Sequence, residues 1–413
     1  MSSLCMEFAL FALTLAGVAI FHHRTLEVAL GGLAAITLYK LASSGFHEGP
    51  GLAGLGAHFA AEWVIFANLF ALLMGFALLA RHFEDSRIPE ALPALLPDDW
   101  KGGVALLAIV FVLSGFLDNI AAAIIGGSMA AMVYRERVHI GYLAAIVAAA
   151  NAGGAGSVIG DTTTTMMWIE GVPAMDVLHA YVAAGAAFLV FAIPAARAQQ
   201  RYEPIRRDPP AALEIDWARG TIVVLILVAA ILTNLYVNQR HPETADRFPF
   251  LGAAVWFTLL ATAAWRRPAW SLLPATAKGS LFLLTLVACA SMMPVEQLPA
   301  PTWQSALGIG FASSVFDNIP LTKLALEQGG YDWGVLAYAV GYGGSMVWFG
   351  SSAGVAVTNV FPEGKSVAQW LRHGWHVALA YVIGFAVLML VSGWHPHEPH
   401  RAPVAGAAAV EAH

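Results

Sequence analysis

The chain has 413 residues, of which 58% are hydrophobic and 12% charged, with a formal net charge of −6 and a mean hydropathy of +0.67. A soluble domain carries about 25% charged residues, so water is not the main solvent of this chain. The small net charge, with basic residues gathered in short loops, excludes a nucleic-acid partner. The two cysteines, Cys5 and Cys289, sit in separate apolar stretches and exclude a disulfide framework and a thiolate metal cluster.

The length leaves room for roughly ten crossings of about 20 residues each and for no large soluble domain. In chain order, apolar runs at 4–21, 25–41, 58–80, 138–158 with its continuation to 169, and 176–197 predict spanning segments, while 113–131 is interrupted by a polar centre. The first run lacks a basic start and a small-residue cleavage site, so it reads as a retained helix. The second half repeats the layout with 220–237, 248–265, 278–293, 333–349 and its continuation, and 369–391, and again one stretch, 303–326, is interrupted.

Basic residues in short loops mark the cytoplasmic side. His22, His23 and Arg24 fall there, followed by Arg81, Arg87 and Lys101, and by Arg135 and Arg137. Arg197, Arg201, Arg206 and Arg207 follow, then Arg266, Arg267 and Lys278. These agree by crossing parity only if 101–134 enters and leaves from the cytoplasm, and 300–330 from outside, where Glu296, Glu327 and Asp332 lie. The expected fold is an all-α polytopic protein of the inner membrane with two inverted-topology repeats and both termini on the periplasmic side. Each repeat holds a re-entrant hairpin and a broken transmembrane helix, an arrangement typical of secondary transporters. The first repeat spans 1–198, with its hairpin at about 101–134 and broken helix at about 138–170. A cytoplasmic linker covers 199–218. The second repeat spans 219–394, with its hairpin at about 300–330 and broken helix at about 333–361, and 395–413 is a Pro- and His-containing tail that reads as flexible.

The interrupted stretches carry the chemistry. Residues 114–120, Ser-Gly-Phe-Leu-Asp-Asn-Ile, line up with 313–319, Ser-Ser-Val-Phe-Asp-Asn-Ile. Downstream, Asn151-Ala152-Gly153-Gly154 and Gly160-Asp161-Thr162 match Gly341-Tyr342-Gly343-Gly344 and Gly350-Ser351-Ser352. Two ordered anchors per half are strong evidence of an internal repeat. Glycines at 153, 154, 160, 343, 344 and 350 break helices, and broken backbone at membrane depth is tolerated only inside protein or beside a watery cavity. Asp118 and Asp317 then sit near the midplane, where a carboxylate is costly and is a functional candidate by default. Asn119, Asn318, Thr162, Thr163, Ser345, Ser351 and Ser352 offer neutral oxygens, and oxygen ligands with a few carboxylates suit a small hard cation. Sodium at Asp118, Asp161 and Asp317 is the expected ion site, with no resident cofactor.

Each feature also has a plainer reading. Asp-Asn can simply cap a helix, Asp161 can cap the second half-helix, and Thr164 and Thr165 fit back-bonding to carbonyls. Glu62, Glu170, Asp176, His58 and His82 read as interfacial. His395, His397, His400 and His413 fit tail chain better than a metal site. Trp63, Trp100, Trp270 and Trp394 suit membrane-interface belts.

Residues 151–169, Asn-Ala-Gly-Gly-Ala-Gly-Ser-Val-Ile-Gly-Asp-Thr-Thr-Thr-Thr-Met-Met-Trp-Ile, closely resemble the signature of NhaD-type sodium/proton antiporters. Residues 343–356 resemble its second-half partner, and Asp317-Asn318-Ile319-Pro320-Leu321 looks like the second hairpin motif. The resemblance covers most of the chain from about residue 72 to 390. It implies an elevator mechanism, with a homodimeric scaffold and a mobile domain of hairpins and broken helices. The chain departs from the pattern at Ala121, where the second tip has Pro320, at Tyr342, where a smaller residue is usual and the cavity could differ, and at Lys323. A lysine there can pair with a carboxylate and be displaced by the ion, or snorkel to the outer surface. Snorkelling is the favoured reading, given the cost of intramembrane charge.

Three functions compete. Exchange of sodium or lithium for protons fits carboxylates at both tips. Transport of arsenite, an oxyanion or a dicarboxylate would use half-helix N-termini as an anion site, but Asp118 and Asp317 would repel an anion. An intramembrane enzyme finds no support in the spacing of Asp161, and no Ser-His pair or zinc-type His-Glu-x-x-His run is present.

Overall fold

The computed structural model describes residues 3–21, 24–206, 214–240, 244 and 247–397. His22, His23, Arg207, His400 and His413 lie outside the described residues, as do parts of the 199–218 linker and of the 395–413 tail. Among the described residues the secondary structure is helical, apart from one isolated bridge between Phe46 and Gly49.

The main helices form two series of eight. The first is α1 (Ser3–Ile20), α2 (Thr25–Tyr39), α3 (Gly51–Asp85), α4 (Trp100–Ser114), α5 (Asn119–Val133), α6 (Ile140–Ala155), α7 (Thr162–Ile169) and α8 (Ala180–Tyr202). The second is α9 (Trp217–Arg240), α10 (Phe250–Thr262), α11 (Leu273–Ser291), α12 (Trp303–Ser313), α13 (Asn318–Gln328), α14 (Trp333–Gly343), α15 (Ser352–Val360) and α16 (Trp375–Val391). Short helices at Ile88–Ala91, Ala174–Leu178 and Val367–His373 join them. Among the described residues, five helices are long and apolar enough to cross a membrane, or six if the bent pair Val367–His373 and Trp375–Val391 is one span. Large apolar side chains such as Leu189, Leu232, Phe257, Leu260 and Leu390 stand exposed on the outer faces. Such faces need an apolar solvent, and the protein is a multi-pass membrane protein.

The helices sort into two packed groups. α1, α2, α3, α9, α10 and α11 pack on one another, and α4, α5, α6, α8, α12, α14, α15 and α16 form the other group. The short helices α7 and α13 lie at the seam, where α13 meets both α11 and α7, and α7 meets α3. Packing also crosses between the series: α5 rests on α15, α13 on α7, and α6 on α14.

Composition explains the centre. α6 is mostly Ala and Gly with five larger, mainly apolar residues and Asn151, and every residue from Gly141 to Ala155 is buried. α14 is buried along its whole length too. A helix apolar on all sides belongs in a core, and small residues let neighbouring backbones approach closely. A Cβ at Gly153 would collide with the Phe111 carbonyl oxygen of α4, and one at Gly343 with the Gly310 carbonyl oxygen of α12. The same repeats one turn on, at Gly160 against the Ser114 carbonyl and Gly350 against the Ser314 carbonyl. The matched motifs therefore make matched backbone contacts.

Polar caps set the helix starts. The Asp99 Oδ1 accepts from Lys101 N at 2.9 Å to begin α4, Thr302 and Ser305 form a capping box for α12, and Asp332 accepts from Val335 N at 3.1 Å to begin α14. Gly329 and Gly330, at φ 69° and 68°, end α13 in a left-handed conformation that only glycine adopts without strain.

Candidate functional site

The site grows from the interruptions. α6 stops at Ala155 and α7 starts at Thr162, and the six residues between them bring Asp161 to the α7 N-terminus. Asp161 is 2% exposed, and its Oδ1 accepts from Thr163 N at 3.0 Å. Its Oδ2 accepts from the Asn119 amide at 3.2 Å. The same Asn119 amide donates to Asn151 Oδ1 at 3.1 Å. Asn151 Nδ2 in turn donates to Ser345 Oγ at 2.9 Å and to Ser351 Oγ at 3.1 Å. One hydrogen-bonded chain thus joins the first hairpin tip and both broken helices. Gly341 stands opposite Asp161, where a Cβ would come within 3.4 Å of Oδ2.

The two tips differ. Asp118 is the N-cap residue of α5 but makes no capping bond, and its Oδ1 is buried without a hydrogen-bond partner. It shares a cavity of about 20 Å³ with Asp161, Thr162 and Thr165, closed on the other side by Leu69, Leu72 and Phe76 of α3. Ser114 Oγ and Thr163 Oγ1 are buried without partners as well. Asp317 caps α13, with Oδ1 accepting from Ile319 N at 3.0 Å. It lines a cavity of about 530 Å³ together with Ser351 and Ser352, reaching Thr25, Asn359 and Lys365. Asp317 is close enough to Asp161 for their charges to act on each other. Asn318 is buried, and its carbonyl accepts the Thr322 hydroxyl at 2.9 Å. Thr164 and Thr165 both bond back to the Asp161 carbonyl at 2.9 Å. The Asp118 and Asp161 carboxylates, with Thr162 and Thr165 lining the same small space, are a donor set that a dehydrated hard cation fits.

The structure corrects several readings of single residues. Lys323 does not snorkel: it is 0% exposed, and its ammonium lies 2.8 Å from Glu62 Oε2, 2.6 Å from Glu170 Oε1 and 2.5 Å from Glu327 Oε1. Glu62 and Glu170 are buried around it, because a buried ammonium keeps its charge only among carboxylates. His58 is buried between Glu48, at 3.1 Å, and Ser291, at 3.0 Å, and His82 is buried against Arg219 at 3.0 Å. Tyr342 turns away from the cavity, its hydroxyl donating to the Val377 carbonyl of α16 at 3.2 Å. The start of the tail is held: His395 N donates to Asp332 Oδ2 at 2.9 Å, and His397 Nε2 lies 2.7 Å from Asp176 Oδ2.

The linear reading had not singled out Asn151 as a site residue. The signal was present, since it is the one amide or charged residue in the apolar run of α6.

No family model matches the chain. Sodium/proton antiporter 1 of Arabidopsis thaliana is 26% identical over 336 residues, covering 70% of this chain and 55% of that protein. The Na(+)/H(+) antiporter NhaD of Halomonas elongata is 26% identical over 60% of this chain and 58% of its own length. That of Vibrio cholerae is 25% identical over 78% of this chain and 79% of its own. The chain thus spans little more than half the length of the first two of these curated relatives. By sequence the chain is similar to the NhaD-type sodium/proton antiporters.

Proposed function

We propose that the protein exchanges sodium, or lithium, for protons across the membrane. The observation that carries this reading is the buried Asp161 carboxylate, bonded through Asn119 and Asn151 into the hydroxyls of the second motif, with a further carboxylate at each tip. Buried carboxylates must be neutralised. A dehydrated sodium ion does so from one side of the membrane and protons from the other, and because both need the same oxygens, loading one expels the other. The names of the relatives point the same way.

In this reading the two helix series are inverted repeats, and α4–α5 and α12–α13 are re-entrant hairpins. The membrane is the inner membrane, with both termini outside. The cavity that reaches Asp317 opens beside Thr25 and Lys365, next to the basic Arg24, so the state described is inward-open. Alternating access is an elevator motion. The group containing α3 and α11 forms the scaffold of a homodimer, and the group around α6 and α14 moves against it, with the seam at α7 and α13.

The test is transport in everted vesicles followed with a pH-sensitive dye, adding sodium, lithium, potassium, arsenite and succinate in turn. Dequenching with sodium or lithium is expected. A silent sodium response beside robust arsenite or succinate flux overturns the proposal in favour of another cargo.

A further inference from the structure

The geometry points to Lys323 as a positioning residue for the ion site, acting as a fixed internal cation that sets the spacing of Asp161 and Asp317. α7 begins at its cap Asp161 and ends at its C-cap residue Glu170, and α13 begins at its cap Asp317 and carries Lys323 and Glu327 further along. The Lys323–Glu170 pair at 2.6 Å ties these two short helices together beyond their carboxylate-bearing ends. The Lys323–Glu62 pair at 2.8 Å fastens both to α3, in the other packed group. One ammonium therefore joins the three elements that meet at the seam. The three carboxylate oxygens around it lie within 4.8 Å of one another, so without a cation they would repel and drive α3, α7 and α13 apart.

Further charged groups lie near this cluster. Beside Glu62, α3 contributes His58, which is bonded to Glu48. A polar cavity of about 400 Å³ reaches Glu327 and is lined by the Glu7–Lys40 pair, His47 and Glu296. Lys323 lies behind Glu327 at the edge of this cavity, where its ammonium occupies the place among three carboxylates that a diffusible cation would otherwise take. Its charge keeps that place closed to transported ions while the ion site itself is only one short helix away.

This inference rests on the antiport reading, and the experiment separates the two. In everted vesicles, Lys323→Met is expected to raise the apparent KM for sodium by about tenfold or more, as small misplacements of a site do, and to shift the pH profile of exchange. Lys323→Arg should return KM to within about threefold of the parent, since the charge is kept. On purified protein in detergent, hydrogen exchange should rise in residues 162–170 and 318–328 of Lys323→Met and stay unchanged in α8 and α16. That readout needs no transport, so a silent sodium response in the parent overturns the antiport reading while the exchange measurement still decides on Lys323. Should Lys323→Met fail to fold, Glu170→Gln, which leaves the Glu62 and Glu327 pairs, is expected to raise KM and loosen α7 alone. An unchanged KM together with unchanged exchange in α7 and α13, in whichever variant folds, overturns the inference.

Discussion

The two hairpin tips carry the same Asp-Asn-Ile triplet and use it differently. At the second tip Asp317 spends one oxygen on the Ile319 amide, and Pro320 follows within the first helical turn, where a missing N–H costs nothing. At the first tip Asp118 caps nothing, its Oδ1 has no partner, and Ala121 takes the place of the proline. The first tip faces a space little larger than one water, whereas the second opens on a cavity of about 530 Å³. Identical residues thus leave a carboxylate oxygen without a partner on one side and cap a helix on the other. A capping bond and a ligand role are compatible, because a carboxylate has two oxygens.

The largest effect expected from breaking this comparison is on transport. Asp118→Asn and Asp317→Asn should each abolish sodium-dependent dequenching while leaving the protein folded, and wild-type exchange in both would reduce the pair to helix caps. Next comes the shared backbone contact: Gly153→Ala and Gly343→Ala force a methyl group against a carbonyl oxygen and should each cost about 1–3 kcal/mol, read as a fall in Tm. A loss confined to one of the two would show that the matched contacts are not equivalent. Asn151→Ala removes the link between the halves and should raise the apparent KM for sodium by about tenfold, equivalent to about 1.4 kcal/mol. Stability then separates the tips: Asp317→Ala should cost about 1 kcal/mol for the lost cap, and Asp118→Ala should cost nothing or stabilise, as measured by thermal unfolding in detergent.

The smallest effect concerns the tie between the end of the second series and the first. Burial opposes charging of His397, but its bonds to Asp176 and to the His395 carbonyl outweigh that and hold the imidazole above its usual range. A raised folded value means that the tie is fully present below the ordinary histidine range and fades as pH rises through the raised value. The side chain is 40% exposed, so the contribution after solvent screening is a few tenths of a kcal/mol. His397→Gln should remove that part of the pH dependence of Tm.

Much of this was legible in the linear sequence. Apolar runs located the helices, and the repeated triplets with their glycine anchors picked out Asp118, Asp161 and Asp317, because glycine spacing reports where backbones must touch. Lys323 and its glutamates were not legible. Its partners Glu170 and Glu62 lie 153 and 261 positions away along the chain, and a carboxylate near a helix end reads as interfacial until its cation is found. Asn151 stands out in the sequence only as the one amide in an apolar run; that it bridges Asn119 to Ser345 and Ser351 shows only in the fold.

Tyr342 holds a last consequence. Its ring packs against Tyr338, 25° from parallel, and Tyr381, 13° from parallel, and those two rings also touch each other, while the matching position of the first motif is Ala152, which is buried. The two motifs have therefore ceased to be interchangeable parts. Copying the second into the first would demand space for an aromatic ring, and copying the first into the second would leave a hole in a cluster of three tyrosines.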